Sequence, residues 1–211
     1  MKKKILVACL CVALAVLTVA GTTLAYLTSQ QTVTNTFTVG NVKITMDEKD
    51  VDNDTNTADN VAINGEQRDK ANSYKLMPGQ TYTKDPIIRV DANSENCYLF
   101  VTVDNQISSI EATGNTTVAA QMAANGWQAV ENQTNLYVYI GKAEGASAPL
   151  AVAKSNNVPV FAKIVVSDDA TNTSLEAVNG KTIVVNAYAV QTEGFTNKTA
   201  ADIWGATFGK N

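Results

Sequence analysis

The chain contains no histidine. A zinc protease that grips its metal with two imidazoles is therefore excluded, as are Ser-His-Asp and Cys-His hydrolases. Charge is scarce, at 17% of residues, and its sign is wrong for nucleic acid, with a net of −4 and a pI near 4.8. Neutralising a phosphate backbone needs a basic face, so nucleic acid is not expected as a partner. Only four prolines occur, and no proline-rich linker divides the chain. Of the three cysteines, Cys9 and Cys11 lie in an N-terminal apolar stretch and Cys97 stands alone beyond it. A single thiol cannot build a disulfide framework. Cys97 belongs to the apolar run Cys97-Tyr98-Leu99-Phe100-Val101 and is expected to be a buried, inert thiol. There is also no G-x-S-x-G, P-loop or S-x-x-K motif. The C-terminal residues Phe208-Gly209-Lys210-Asn211 form no LPxTG box, so attachment by sortase is not expected.

What the chain has in quantity is Thr (25), Val (24) and Asn (21) among 211 residues. Thr and Val favour strands, and Asn favours turns. Strict alternation runs through Thr32-Val33-Thr34-Asn35-Thr36-Phe37-Thr38-Val39, then, after a Gly40-Asn41 turn, through Val42-Lys43-Ile44-Thr45-Met46. Period two predicts strands with one buried face. Further strands are expected at 86–90, 98–103, 107–111, 136–140, 158–166 and 182–191. Gly, Asn and Pro punctuate them at short intervals, as in an antiparallel sandwich or barrel. Met77-Pro78-Gly79-Gln80 has Pro and Gly where a type II turn wants them. From 47 to 72 the composition shifts to Asp, Asn, Thr and Lys; this reads as a long acidic surface loop with a short strand at Val61-Ala62-Ile63. Two short helices are expected. One spans 116–125, with Asn115 or Thr116 as N-cap and Gly126 just beyond its end. The other spans 200–208, where Thr199 and Asp202 make a capping pattern and Trp204 and Phe208 share one packed face.

The N-terminus has the form of a secretory signal. Lys2, Lys3 and Lys4 precede an apolar stretch from position 5 to 21, and Thr23-Leu24-Ala25 offers small residues where a signal peptidase cuts, before Tyr26. The dense positive charge lies ahead of the apolar stretch, so the remainder is expected to be translocated, with no stable membrane span after cleavage. A retained anchor is the rival reading. Removing residues 1–25 takes three lysines and no acid, leaving thirteen basic and twenty acidic residues, a net of −7. The expected organisation is a signal peptide, 1–25, and one β domain, 26–211.

Candidate sites are few. Asp50, Asp52 and Asp54 alternate as at the start of an EF-hand loop, but the sixth position is Thr55 rather than Gly and the twelfth is Val61 rather than Glu. They make a weak calcium candidate beside the simpler reading of a solvated loop. No other cofactor, no metal ligand set and no catalytic residue is expected. Asp168-Asp169 reads as a turn. Residues 27–39 carry neither Pro nor charge. Such an unprotected terminal strand is suited to completing another sheet, where main-chain hydrogen bonds give affinity and alternate side chains give register. Val33, Asn35, Phe37 and Val39 would define that donor face. The competing reading is an ordinary first strand of the domain's own sheet.

Two blocks carry a family resemblance: Gly21-Thr22-Thr23-Leu24-Ala25-Tyr26-Leu27-Thr28, and Val33-Thr34-Asn35-Thr36-Phe37-Thr38-Val39-Gly40-Asn41-Val42-Lys43-Ile44. Looser motifs follow at Lys75-Leu76-Met77-Pro78-Gly79, Lys84-Asp85-Pro86, Cys97-Tyr98-Leu99-Phe100-Val101, Ala187-Tyr188-Ala189-Val190-Gln191, Gly194-Phe195 and Trp204. Together they resemble the TasA/camelysin family of exported Gram-positive proteins. The resemblance implies cleavage by a dedicated ER-type signal peptidase and a jelly-roll β-sandwich. It also implies a place in fibres of the biofilm matrix or cell surface, built by passing an N-terminal strand to a copy of the chain or to a paralogous subunit. A secreted or membrane-anchored binding module is the alternative. A camelysin-like peptidase fits a histidine-free chain poorly.

Export should be accompanied by cleavage after Ala25 or within a few residues of it. Mass spectrometry of the secreted protein checks this; full-length chain confined to the membrane fraction would instead establish the anchor.

Overall fold

The computed structural model describes residues 40–52, 61–63 and 66–209. The chain divides into two units, Met1–Val39 and Gly40–Asn211, and every element below belongs to the second. Its described residues hold eleven strands: β1 Ile44–Lys49, β2 Val61–Ile63, β3 Glu66–Asp69, β4 Thr81–Thr83, β5 Ile87–Val90, β6 Cys97–Asn105, β7 Trp127–Ala129, β8 Leu136–Tyr139, β9 Asn157–Pro159, β10 Lys163–Val165 and β11 Ile183–Gln191. Three short helices accompany them: α1 Val118–Ala124, α2 Asn172–Ala177 and α3 Ala200–Thr207. The described residues are therefore mostly β, as the composition predicts, with one more helix among them than expected.

The strands form a five-stranded sheet (β2-β3-β1-β5-β9), a four-stranded sheet (β11-β6-β8-β7) and a β10-β4 pair. All the strand pairs are antiparallel. The longest ladder joins β6 to β11 over nine rungs, from Asn105↔Ile183 to Cys97↔Gln191. Alternation along β6 sends Cys97, Leu99, Val101 and Val103 to one face. There they meet Ile88 and Val90 of β5, with Val158, Val160, Phe161, Trp127 and Met122 completing the main core. Phe100 points the other way, into a second core with Leu136, Val138, Val190 and Ile203 beneath α3. Trp204 stands 5.6 Å from Phe100, 5.0 Å from Tyr188 and 4.6 Å from Phe208 between ring centroids, so the expected Trp204–Phe208 face is packed. A third cluster gathers Ile107, Ile110, Ile164, Val166 and Val178. Cys97 is fully buried, and burial pushes its thiol up to about 11.

Several expectations need correction. Within stretch 47–72 the short strand expected at Val61-Ala62-Ile63 is present as β2, but residues 47–49 belong to β1 and 66–69 form β3, with Asp47, Glu48, Arg68 and Asp69 all buried rather than on a surface loop. Polar composition misled because charge pairing can bury such residues. Stretch 107–111 forms a 3-10 turn at Ser108–Ile110, because the Asn105 side chain takes the Ile107 N–H and ends the ladder. The expected strand 158–166 splits into β9 and β10 in different sheets, with consecutive Val160 and Phe161 both buried at the crossing. Helix α1 begins later than expected, with Thr117 as its cap accepting from the Ala120 N–H. Helix α2 was missed; Thr171 and Ser174 close a capping box around its six residues. Residues 40–43 show no turn, and neither Gly40 nor Asn41 has a positive φ. The Met77–Gln80 turn is present, with the Gln80 N–H donating to the Met77 carbonyl and Gly79 at φ 69°.

Gly126 ends α1 at φ 90°, and a Cβ there would stand 2.4 Å from the Gly141 carbonyl oxygen. Gly145 has φ 73° and open space around it. Gly126→Ala combines left-handed strain with a backbone clash and should cost at least about 2 kcal/mol. Gly145→Ala should cost only about 1 kcal/mol. Urea unfolding of the two variants beside the parent measures the difference.

Candidate functional site: an open seam and a buried charge network

One side of the main core is left open by pairing. Strand β11 bonds β6 on one side and has no strand on its other side among the described residues. The inward residues of β6 are sealed, with Leu99 and Val101 at 0% exposure. Their neighbours across the ladder, Val185, Ala187 and Ala189, face the same core yet are only half-buried. On the opposing sheet Val42, Ile44 and Met46 are half-buried against that core as well. There β1 pairs with β5 along residues 44–47, whereas β3 reaches only Glu48 and Lys49. Apolar side chains from two sheets thus line a seam that no described strand closes. At the β1 C-terminal end it opens into a cavity of about 680 Å³, whose walls include Met46, Glu48, Asp69, Tyr74, Lys84 and Val185.

Next to this cavity lies the buried charge network. Asp47 is held by two guanidinium groups, Arg68 Nε at 2.6 Å and Arg89 Nε at 2.9 Å. Arg68 also reaches Asp85 through Nη1 at 3.0 Å and donates Nη2 to the Asp47 and Asp85 carbonyls. Glu48 pairs with Lys84 Nζ at 2.8 Å and accepts from Asn72. Burial alone would push the Asp47 carboxyl up, but hydrogen bonds and charge from Arg89 and Arg68 together hold it below the ordinary carboxylate value. Tyr74 is driven strongly upward by burial and by the negative charges of Glu48 and Asp85, so it remains a phenol.

Beside the network, carboxylate oxygens of Asp50, Asp52 and Asp69 lie within 4.8 Å of one another. Asp69 is 1% exposed and accepts the N–H groups of Lys70 and Ala71; Asp52 accepts the Ser73 N–H. Three carboxylates form an all-oxygen donor set, suited to hard cations rather than to zinc. Asp50 and Asp52 therefore do meet, but with Asp69, which sequence spacing could not reveal because strand pairing brings it in from β3. Asp54 lies outside the described residues, as do Ala25, Tyr26, Val33, Asn35, Phe37 and Val39. Sequence reasoning also missed Arg68, Arg89 and Lys84. The alternation of Val42 to Met46 ends there, and the consecutive Asp47 and Glu48 are both buried, so periodicity carried no signal for this network.

The architecture is thus a mostly β unit with an open seam and a buried ionic cluster. Residues 1–64 match the family described as camelysin metallo-endopeptidase, in which TasA is found. The match covers the same N-terminal blocks that carry the resemblance. No curated protein and no solved structure matches the chain.

Asp47→Ala would leave Arg68 and Arg89 buried against a missing charge and should destabilise by about 3–5 kcal/mol at neutral pH. The Asp47 carboxyl is lowered in the folded state, so its contribution is present above the ordinary value near 3.9 and is lost as pH falls through the lowered one. Urea unfolding across the acid range should show the parent losing stability there and Asp47→Ala losing less.

Proposed function

We propose that this chain is a secreted structural subunit of extracellular fibres in a biofilm matrix or on a Gram-positive cell surface. It is exported through its signal, cut by a signal peptidase near Ala25, and assembled by passing residues 26–39 into the sheet of another copy or of a paralogous subunit. The sandwich is proposed to be the jelly-roll that the family resemblance implies. The observation that carries this reading is strand β11. Among the described residues it is an edge of nine residues, Ile183–Gln191, with neither charge nor Pro along it. Natural edges of that length are usually blunted, and an unblunted one fits addition of a strand. The matched N-terminal segment, 1–64, includes the uncharged stretch that would be donated.

The family description names a metallo-endopeptidase. The residues present do not fit a catalytic zinc. The chain has no histidine, its cysteine beyond position 11 is buried in the core, and the clustered ligands among the described residues are three carboxylates. We therefore propose no peptidase activity. Among the described residues no helix is long and apolar enough to cross a membrane.

Deleting residues 26–39 should leave a folded body that makes no fibres. Phe37→Asp should act similarly by forcing a charge into an apolar site, a penalty of several kcal/mol. Negative-stain microscopy and sedimentation beside the intact exported protein check both. Fibres from the deletion variant would refute strand donation, and an intact protein that stays folded and monomeric would point to the binding module.

A further inference from the structure

We propose that Lys84 and Asn72 join in an amide cross-link between their side chains, with Glu48 as the catalytic acid and base. Such a bond forms within one chain, whether or not that chain assembles with others.

Three elements bring the groups together. Glu48 lies on β1, Asn72 follows β3, and Lys84 stands between β4 and β5. Lys84 Nζ is 2.8 Å from Glu48 Oε2 and 3.1 Å from Oε1, and Asn72 Nδ2 donates to that same Oε1 at 3.1 Å. An amine and a carboxamide therefore flank one carboxylate oxygen. An ion pair alone would need only the first of these contacts. Lys84 pairs with no other carboxylate among the described residues, because Asp47 and Asp85 are taken by Arg68 and Arg89.

Each reactant is also held from a second side. The Lys84 N–H donates to the Ala162 carbonyl, and Asn72 Nδ2 donates to the Lys49 carbonyl at 3.0 Å. Asn72 Oδ1 accepts the Val51 N–H at 2.8 Å. A backbone donor thus already sits where negative charge gathers when the amide carbon is attacked. The Lys84 and Glu48 side chains are 12% and 6% exposed, and Lys84 Nζ lies 5.9 Å from the centroid of the half-buried Tyr74 ring. Little water competes with the amine there, and the reaction needs no encounter. Glu48, Asn72 and Lys84 all line the cavity of about 680 Å³, which gives ammonia a way out.

The step balances without an oxidant or any further reactant. Glu48 takes a proton from the Lys84 ammonium, and the freed Nζ lone pair forms the Nζ–Cγ bond at Asn72. Glu48 returns that proton to Nδ2. The Cγ–Nδ2 bond then breaks with its electron pair, and ammonia leaves. Glu48 takes the surplus proton from the new amide nitrogen and passes it to the ammonia, which departs as ammonium. The carboxylate is restored and a secondary amide remains.

The bond would tie down a segment that has little else. Residues 71–76 belong to no strand or helix. They are held through side chains: Asp69 takes the Ala71 N–H, Asp52 the Ser73 N–H, and the Tyr82 hydroxyl donates to the Lys75 carbonyl. Cys97 is a free thiol, so it offers no disulfide for this purpose.

Peptide mapping of the exported, unsubstituted chain tests this. An acylated Lys84 resists trypsin, so peptide 71–75 should appear joined through Asn72 and Lys84 to peptide 76–89, lighter by one ammonia than the two together. Separate peptides 71–75 and 76–84 would overturn the cross-link, and this measurement needs no variant to fold. Lys84→Arg, which keeps a cation beside Glu48, and Asn72→Ala should each abolish the branched product. Its survival in Asn72→Ala, or a Lys84 joined instead to Asp52, Asp69 or Asp85, would overturn the assignment to Asn72. Glu48→Gln, mapped at the same time after export, should leave the peptides separate, and an undiminished branched product would overturn the role of Glu48. Should Glu48→Gln fold poorly, Glu48→Asp replaces it. Its shortened carboxylate should form the branched peptide more slowly over a time course, and a rate equal to the parent's would overturn the same role.

Discussion

The structure depends on the burial of β6 on both faces. Leu99 and Val101 close the main core, while Phe100, between them in sequence, closes the core beneath α3. A strand sealed on both sides must find partners on both edges, and β8 and β11 supply them. Each fully buried side chain of this size contributes on the order of 1.5–3 kcal/mol relative to exposure. With no disulfide among the described residues, this double layer is what fixes β11, and through it α3, whose Trp204 rests on Phe100 and Tyr188.

The charge network constrains a different part of the molecule. Asp47 and Arg68 lie on strands that share only two rungs, Glu48↔Asp69 and Lys49↔Arg68. So short a ladder defines register weakly. Ion pairs between Asp47, Arg68, Arg89 and Asp85 tie β3, β1 and β5 together, since any slip would strand a charge in the interior. Replacing such a cluster by apolar residues can be neutral in stability, so its value here is placement. It holds the end of the seam in a fixed shape beside the cavity.

The open edge joins these two constraints. The β6 ladder makes β11 rigid along its inner side, and the ion pairs hold β1 opposite it. Between them lie half-buried apolar residues that no described strand covers. A rigid, uncharged edge is a hazard to a soluble monomer and an advantage to a subunit that polymerises by strand addition.

Local pattern alone was enough for the β class, the two long strands near 98–103 and 182–191, the packed Trp204–Phe208 face and the buried state of Cys97. Each follows from local periodicity or from an apolar run, which neighbours in sequence suffice to define. The three-residue strands β4 and β7 escaped notice because so short a segment shows too little alternation to register. That Asp47 and Glu48 are interior follows from the folded arrangement, because burying a charge depends on partners such as Arg89 and Lys84, which lie 42 and 36 residues away. It likewise decided that Asp69 joins Asp50 and Asp52, and that no described strand covers the inward face of β11. Which edge of a sheet stays unpaired is settled by the order of all its strands, and no local stretch of sequence encodes that order.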